Sequence, residues 1–177
     1  MFKTLAGLAI ASAILTGPAM AQGRETEFGV DMTIKWMKSS GAGSGLLHIQ
    51  TPVDLRVAFH TAGGFAIEPR LTAQFLSGGG DNLYAIDPGL NVLVAFPGSA
   101  HHNGAYVTVG ADLAVAGGTG MNSSSVFSLN AGLGLRRPMG KAAGRAELFV
   151  GLTPKQGTDV LENIFTVGAR LGISFFN

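Results

Sequence analysis

The sequence of 177 residues contains no cysteine, and only 13% of its residues are charged. Without cysteine, the chain can form neither a disulfide nor an acylated lipoprotein anchor. Disorder is excluded as well, because it requires low hydrophobicity and high charge, whereas 46% of this chain is hydrophobic. The 12 Lys and Arg residues against 11 Asp and Glu leave no basic excess, so nucleic acid is not an expected partner. Glycine is abundant instead, with 27 residues.

Long apolar runs are also scarce, and the one clear run lies at the N-terminus. Lys3 precedes the apolar stretch Leu5–Leu15, and Ala19-Met20-Ala21 has the small-x-small form of a cleavage site. The run is too short for a bilayer span, which needs about 20 apolar residues, and this disfavours an uncleaved anchor. The pattern predicts a cleavable secretory signal peptide over residues 1–21 and a mature domain over residues 22–177.

After the signal, apolar and polar residues alternate with a period of two, which is the signature of β-strands. The short connections are rich in glycine and predict an antiparallel meander. Pro69 and Pro88 fall inside two of the segments, where a missing ladder donor should cause a bulge or local irregularity. The expected strands are about 25–37, 46–60, 65–76, 83–96, 104–116, 125–136, 144–153 and 163–176.

The charged side chains are sorted by face. The strand face that carries Phe, Leu, Val and Ile has no charge, whereas the opposite face carries thirteen charged residues and eight glycines. We interpret the glycines as leaving room for long charged side chains in a narrow lumen. Apart from Asp87, these charged residues are predicted to form a structural ion-pair network: Glu27, Asp31, Lys35, Asp54, Arg56, Glu68, Arg70, Asp112, Arg136, Arg145, Glu147 and Arg170.

Two kinds of closed barrel fit this sorting. A soluble lipocalin-like barrel would turn the charged face to water and hold an apolar ligand inside. A membrane barrel would turn the apolar face to lipid, where a Lys or Arg costs about 2–4 kcal/mol at the midplane. Five of the six bases on the charged face are Arg, which suits dehydrated pairs with carboxylates. We therefore predict an all-β, eight-stranded antiparallel up-and-down transmembrane β-barrel with a polar lumen filled by side chains.

Aromatic residues lie near the ends of several predicted strands. They are expected either to form girdles at the two membrane interfaces or to serve only as large apolar strand formers. The residues concerned are Trp36, Phe59, Phe65, Phe75, Tyr84, Phe96, Phe127 and Phe165.

The signal sequence, the eight alternating segments and the last strand, Val167–Asn177, resemble the small Gram-negative outer-membrane β-barrel family, which includes the OmpA transmembrane domain and OmpX. The resemblance implies an outer-membrane protein with both termini in the periplasm. Its implied partners are outer-membrane lipid and, during biogenesis, the insertion machinery and periplasmic chaperones. The last strand looks like the signal that the insertion machinery reads, although the chain ends on Asn177 and not on an aromatic residue. The residues of this signal are Leu171, Ile173, Phe175 and Phe176.

The family resemblance and the narrow lumen together favour a small monomeric structural protein that contributes to envelope integrity or surface interaction and is not an open porin. A soluble periplasmic carrier of an apolar ligand is the alternative, and a lipid A-modifying barrel enzyme ranks third. The apolar face argues against the enzyme, because a lipid A deacylase needs His, Ser and an acid there. That face has no His and no acid.

Sites for catalysis, metals and cofactors are not expected. His48 and His60 share the inward face but lie too far apart to share a proton, so we interpret them as hydrogen-bonded lumen histidines. His101 and His102 lie in a turn without the nearby Cys or acid that a three- or four-ligand metal site requires. The segment 134–141 resembles a P-loop only superficially, because five residues separate its glycines and no helix follows.

Overall fold

The computed structural model describes residues 25–41, 44–61, 63–78, 81–100, 102–156 and 162–177. At residues 48–53, 76–78, 81 and 121 it describes only the backbone. The predicted signal peptide, His101 and the side chain of His48 lie outside the described residues. No helix among the described residues is long and apolar enough to cross a membrane.

Eight strands form a closed barrel in which each strand pairs antiparallel with the next and the last pairs with the first. The strands are β1 (Thr26–Ser39), β2 (Leu46–His60), β3 (Phe65–Gly78), β4 (Asp81–Ala95), β5 (Gly104–Gly118), β6 (Met121–Met139), β7 (Ala142–Thr153) and β8 (Ile164–Phe176). This confirms the predicted up-and-down meander. We call the end of the barrel that holds residues 25 and 177 the terminal end, and the opposite end the distal end.

Glycines with positive φ allow the shortest connections between strands. Residues 140–141 join β6 to β7, and Gly140 has a φ of 68°. Residues 119–120 join β5 to β6, and Gly120 has a φ of 71°. A side chain disfavours this left-handed region, so glycine lets the chain reverse within two residues.

The two prolines inside strands do not shift the register, but each interrupts one ladder, which is the local irregularity expected from the sequence. Pro69 pairs with Leu90 and Pro88 pairs with Leu71 in one continuous β3–β4 register. The β2–β3 register is also the same on both sides of Pro69. The β2–β3 ladder has no pair between Arg56↔Arg70 and Phe59↔Ile67, and the β4–β5 ladder has none between Ile86↔Val115 and Gly89↔Asp112. Each proline lacks a ladder donor, so the local pairing is lost while the strand keeps its register. A register shift occurs instead between β1 and β2, from Asp31↔Asp54 to Thr33↔Gln50, where β2 carries two extra residues.

The barrel exposes its apolar side chains and buries its charges. Phe75 is 72% exposed and Leu148 is 68% exposed, whereas Glu27 and Glu68 are fully buried. A soluble carrier of an apolar ligand would need the opposite arrangement. The only buried apolar cluster among the described residues is small and consists of Ala58, Ala66, Leu93 and Tyr106 near the terminal end. An apolar outer band and a polar interior are the arrangement of a membrane β-barrel.

Candidate functional site in the barrel lumen

The inward-facing glycines make the lumen wide enough for long side chains. Each of the eight lies directly across the ladder from a longer residue, and a Cβ atom there would overlap or crowd that side chain. The pairs are Gly29 with Arg56, Gly89 with Asp112, Gly110 with Asn91, Gly132 with Thr108, Gly134 with Tyr106, Gly151 with Thr166, Gly168 with Phe149 and Gly172 with Asp31. The missing side chain of each glycine therefore leaves the space that the side chain on the neighbouring strand occupies.

Arg56 is the centre of a buried cluster near the terminal end. Its Nε donates to Asp31 Oδ2 at 2.9 Å, and its Nη1 forms an ion pair with Glu27. Its Nη2 donates to Ser174 Oγ at 2.6 Å, and Ser174 Oγ in turn donates to Glu27 Oε1 at 2.6 Å. The guanidinium thus donates to side chains of two other strands, β1 and β8.

The second oxygen of Glu27 holds two more groups. Arg136 Nη2 lies 2.8 Å from Glu27 Oε2, and His60 Nε2 lies 2.9 Å from the same atom. His60 is buried, and its ring centroid lies 6.2 Å from that of Phe176. The structure therefore places His60 in the lumen beside a carboxylate.

A second cluster surrounds Glu68 in the middle of the lumen. Arg145 forms an ion pair with Glu68, with Nη2 3.2 Å from Oε1, and Arg70 Nη1 donates to the same oxygen at 3.3 Å. Arg70 also forms an ion pair with Asp54, and its Nη2 donates to Asp31 Oδ2 at 3.0 Å. Since Asp31 also accepts from Arg56, its carboxylate links the two clusters.

Glu147 anchors a third cluster, in which aromatic rings face the arginines. Glu147 Oε2 accepts from Arg145 at 2.7 Å and from the Tyr106 hydroxyl at 3.2 Å, and its Oε1 accepts from Arg170. The guanidinium carbons of Arg136 and Arg145 lie 4.5 and 4.9 Å from the Tyr106 ring centroid. Arg170 lies 4.0 Å from the ring centroid of Phe149. These distances are those of cation–π pairs.

Tyr106 and Phe149 were not identified as site residues from the sequence. Both have the inward parity of their strands, and both lie opposite a glycine, Gly134 and Gly168 respectively. A large aromatic residue on the glycine-rich face was the signal that could have revealed them. Their rings occupy the space that the glycines leave and support the arginines.

Ten of the twelve predicted network residues meet in these three clusters, and we call them the plug. All ten are buried, and five arginines balance five carboxylates. Such burial is tolerable only with close pairing, because an isolated ion in a low-dielectric interior is severely destabilising. The plug consists of Glu27, Asp31, Asp54, Arg56, Glu68, Arg70, Arg136, Arg145, Glu147 and Arg170.

The other two predicted network residues lie on the distal side of the plug, at a cavity of about 270 Å³. Lys35 lines this cavity and makes no ion pair with any residue that the structure describes. Asp112 also lines it and accepts a hydrogen bond from Asn130 Nδ2 at 2.6 Å. Asp54, Arg70 and Arg170 belong to both the plug and the cavity lining. We call this space the distal cavity.

Among the described residues, the side chains of the distal cavity and the plug do not gather the ligands of a metal site. No group of three or more His, Cys, Asp and Glu residues suited to a metal ion occurs in the described ranges. The carboxylates of the plug are already engaged by guanidinium groups, which fill the positions that a cation would take.

The predicted insertion-signal residues divide between the two sides of β8. Leu171, Ile173 and Phe175 are about half exposed on the outside of the barrel. Phe176 has the opposite parity and is less exposed, and its ring lies 5.8 Å from that of His102 and 6.2 Å from that of His60. The structure thus brings three of the four residues to one apolar stripe.

Known structures resemble the whole barrel. No family model and no curated protein matches the chain. Neisserial surface protein A is 12% identical, with a TM-score of 0.58 over 85% of this chain and 96% of that one. Ail, the attachment invasion locus protein of Yersinia pestis, is 13% identical, with a TM-score of 0.52 over 87% and 99% of the two chains. At such identities the likeness establishes the fold. The chain therefore has the eight-stranded fold of the small OmpA- and OmpX-like barrels of the Gram-negative outer membrane.

Proposed function

We propose that this chain is a small structural β-barrel of the outer membrane, which contributes to envelope integrity or surface contact and provides neither an open pore nor an enzymatic reaction. The observation that carries the proposal is the plug. Five arginines and five carboxylates join strands across the lumen, so a diffusing solute would have to separate buried ion pairs. An eight-stranded barrel is narrow enough for side chains to fill it.

The outer surface supports the membrane location. Large apolar side chains cover it, and aromatic residues are exposed near both ends of the barrel. Near the terminal end these are Phe28, Phe65, Phe96 and Phe175, and near the distal end Trp36, Phe75, Tyr84, Phe127 and Phe165. This distribution favours girdles at two interfaces.

Planar-bilayer recording tests the closed lumen. The refolded protein should show no large, stable conductance, because the plug lies across the lumen. A variant that replaces both Glu68 and Arg145 by alanine removes the central ion pair and keeps the net charge of the plug, so it should conduct more than the wild type. Porin-like conductance of the wild-type protein would contradict the proposal.

Cell fractionation and gel mobility test the location. The protein should sediment with outer membranes and migrate faster on SDS gels when unheated than when boiled. Recovery as a soluble periplasmic protein would favour the carrier alternative, although the charged interior speaks against an apolar ligand there. Mass spectrometry of lipid A with and without expression tests the enzyme alternative, and a changed acyl pattern would overturn the structural role.

The same proposal includes export and assembly. We expect residues 1–21 to act as the cleaved signal, and chaperones and the insertion machinery to bind the chain before it folds. Phe175 is 54% exposed on β8, and Phe65 is 51% exposed on β3. Replacing either by alanine removes similar apolar area, but Phe175→Ala should reduce the assembled fraction in cells much more than Phe65→Ala. Equal losses would show that the last strand carries no special signal.

A further inference from the structure

A shallow groove runs along β7 on the outer surface, at the terminal end of the barrel. Three successive outward positions of β7 hold small residues, and each lies between larger residues of β6 and β8 in the ladders. Ala143, Arg145 and Glu147, the alternate residues of β7, are buried and point inward. We call this feature the outer groove, and its three rungs are Leu135–Ala146–Leu171, Arg137–Gly144–Ile173 and Met139–Ala142–Phe175.

The outer groove is apolar along its sides and has the length of one membrane leaflet. The flanking side chains of Leu171 and Phe175 are about half exposed, and Leu148, the next outward residue of β7, closes the inner end of the groove. From Ala142 to Ala146 the strand advances about 14 Å, at about 3.4 Å per residue. One leaflet of the hydrocarbon core is about 15 Å thick, since the whole core measures about 30 Å. The groove is therefore long enough to hold most of one extended acyl chain.

The side chain of Met139 reaches across the outer groove. A Cβ atom at Gly144 would lie 2.9 Å from Met139 Sδ, so the thioether covers the middle rung. A methionine side chain is unbranched and adapts its conformation readily to its neighbours. The thioether can therefore swing out of the groove and leave its place beside Gly144 to an apolar chain.

Two exposed cations lie where the outer groove meets the terminal end of the barrel. Arg137 faces outward from β6, and Lys141 lies in the two-residue turn between β6 and β7. Neither side chain forms an ion pair with any residue that the structure describes. A lipid-facing arginine is costly at the bilayer midplane and tolerated near the interfaces, and the exposed ring of Phe175 lies one rung nearer the turn than Arg137. We therefore place the two cations at the level of the lipid headgroups.

The chemistry of the outer groove selects its occupant. An acyl chain suits the apolar part, because this surface faces the hydrocarbon of the membrane. A negative headgroup complements Arg137 and Lys141, since bases near a membrane surface are attracted to anionic lipid. A second copy of the chain is a poorer match, because the apolar strand face carries no acid that could pair with the two cations.

We propose that the outer groove binds one anionic phospholipid, with one acyl chain between β6 and β8 and its phosphate toward Arg137 and Lys141. The inference rests on the membrane location in the proposed function and adds the class of lipid and its position on the barrel. Phosphatidylglycerol is a simple lipid of this class, whereas phosphatidylethanolamine with the same chains carries a phosphate but no net charge. A comparison of these two lipids isolates the charge of the headgroup.

Native mass spectrometry of the refolded, full mature chain tests the lipid class. The protein is released from detergent micelles that contain equal amounts of phosphatidylglycerol and phosphatidylethanolamine, and the lipid retained on the barrel is identified. One phosphatidylglycerol per barrel should bind about tenfold more tightly than phosphatidylethanolamine, since two bases attract the negative headgroup. Glycerol 3-phosphate, which has the phosphate without acyl chains, should not compete at equal concentration.

Two double variants test the cations. Arg137→Gln with Lys141→Gln removes both charges at the outer groove, whereas Lys38→Gln with Lys155→Gln removes two exposed charges near the distal end. The first double variant should lose the preference of about tenfold for phosphatidylglycerol, and the second should keep it. Neither pair belongs to the plug, and heat-modifiable migration on SDS gels shows that both double variants are folded.

A matched pair of alanine variants tests the groove itself. Ala146→Leu fills the innermost rung, which lies between two leucines. Ala111→Leu makes the same exchange outside the groove, on β5, where Leu90 and Leu129 are its neighbours. Ala146→Leu should weaken the binding of phosphatidylglycerol at least about fourfold, which is the effect of excluding one methylene group from contact. Ala111→Leu should leave the binding unchanged.

Three results would overturn the proposal: equal retention of the two phospholipids, equal effects of the two double variants, or equal effects of the two alanine variants. Cell fractionation reports the membrane location separately. A protein that sediments with outer membranes and retains neither lipid preferentially contradicts the lipid site alone, whereas a soluble periplasmic protein contradicts the proposed function.

Discussion

The two halves of the lumen are built from the same strands and yet are filled differently. Toward the terminal end, arginine and glutamate side chains cross the lumen and meet, as in the ion pair between Glu68 and Arg145. Toward the distal end, shorter residues such as Thr33, Thr72 and Ser128 line the wall and leave a cavity. Strand number fixes the width of the barrel, so side-chain length decides whether a level of the lumen is closed or open.

The comparison also separates two uses of charge. In the plug, every charged group lies within ion-pair distance of an opposite charge, so each depends on its neighbours. In the distal cavity, Lys35 and Asp112 stand on opposite walls without an ion pair among the described residues. Substitutions should therefore be costly in the first half and mild in the second.

The largest expected effect comes from the centre of the plug. Glu68→Ala leaves Arg70 and Arg145 without their shared carboxylate, and breaking a buried ion pair costs about 3–5 kcal/mol. Urea unfolding in lipid vesicles, followed by the fluorescence of the single tryptophan, Trp36, measures the loss. Glu162→Ala removes an exposed carboxylate and should cost under about 1 kcal/mol. A similar small loss for both variants would show that the plug does not stabilise the barrel.

An intermediate effect is expected where a glycine supports an aromatic ring. A methyl group at Gly134 would overlap the Tyr106 ring, so Gly134→Ala should cost about 1–3 kcal/mol through overpacking. At Gly151 the nearest heavy atom to an added Cβ would be 3.3 Å away, so Gly151→Ala should cost less. The same unfolding assay ranks the two variants. Adding Tyr106→Ala should relieve the clash, and strictly additive losses in the double variant would argue against the overlap.

The smallest effect is expected in the distal cavity. Asp112→Asn keeps the shape of the side chain and removes a charge that has no ion-pair partner among the described residues, so the free energy of unfolding should change by less than about 1 kcal/mol. Asp31→Asn is the matched substitution in the plug, where the carboxylate accepts from both Arg56 and Arg70. Equal losses of unfolding free energy in these two variants would contradict the distinction between the two halves of the lumen.

Much of the fold could be predicted from the sequence because period two reports the two faces of a strand directly. The predicted strand at 46–60 agrees with β2 (Leu46–His60), and the predicted strand at 104–116 falls two residues short of the end of β5. The prolines were predicted to cause a bulge or a local irregularity, and they interrupt the β2–β3 and β4–β5 ladders without shifting the register. The register shift beside Asp31 had no comparable signal in the alternation, because two extra residues preserve the parity of the strand.

The side-chain partners could not be predicted in the same way. Arg145 and Glu68 lie 77 positions apart, and Ser174 and Glu27 lie 147 positions apart. Contact between such residues depends on strand stagger and on the closure of β8 against β1, which local periodicity does not encode. Tyr106 and Phe149 were missed for a related reason, since only the strand register shows that their rings lie opposite Gly134 and Gly168.

The order of residues along the chain was sufficient to sort apolar from charged side chains, because each alternate residue of a strand points to the opposite face. That sorting, together with the preference for Arg on the charged face, predicted a barrel with a charged interior. Closure of the sheet then determined which charges meet, such as Glu68 with Arg145. The physical reason is that the alternation of side chains along one strand is a local property. Contact across the lumen depends instead on the relative height and angle of strands that are distant in sequence.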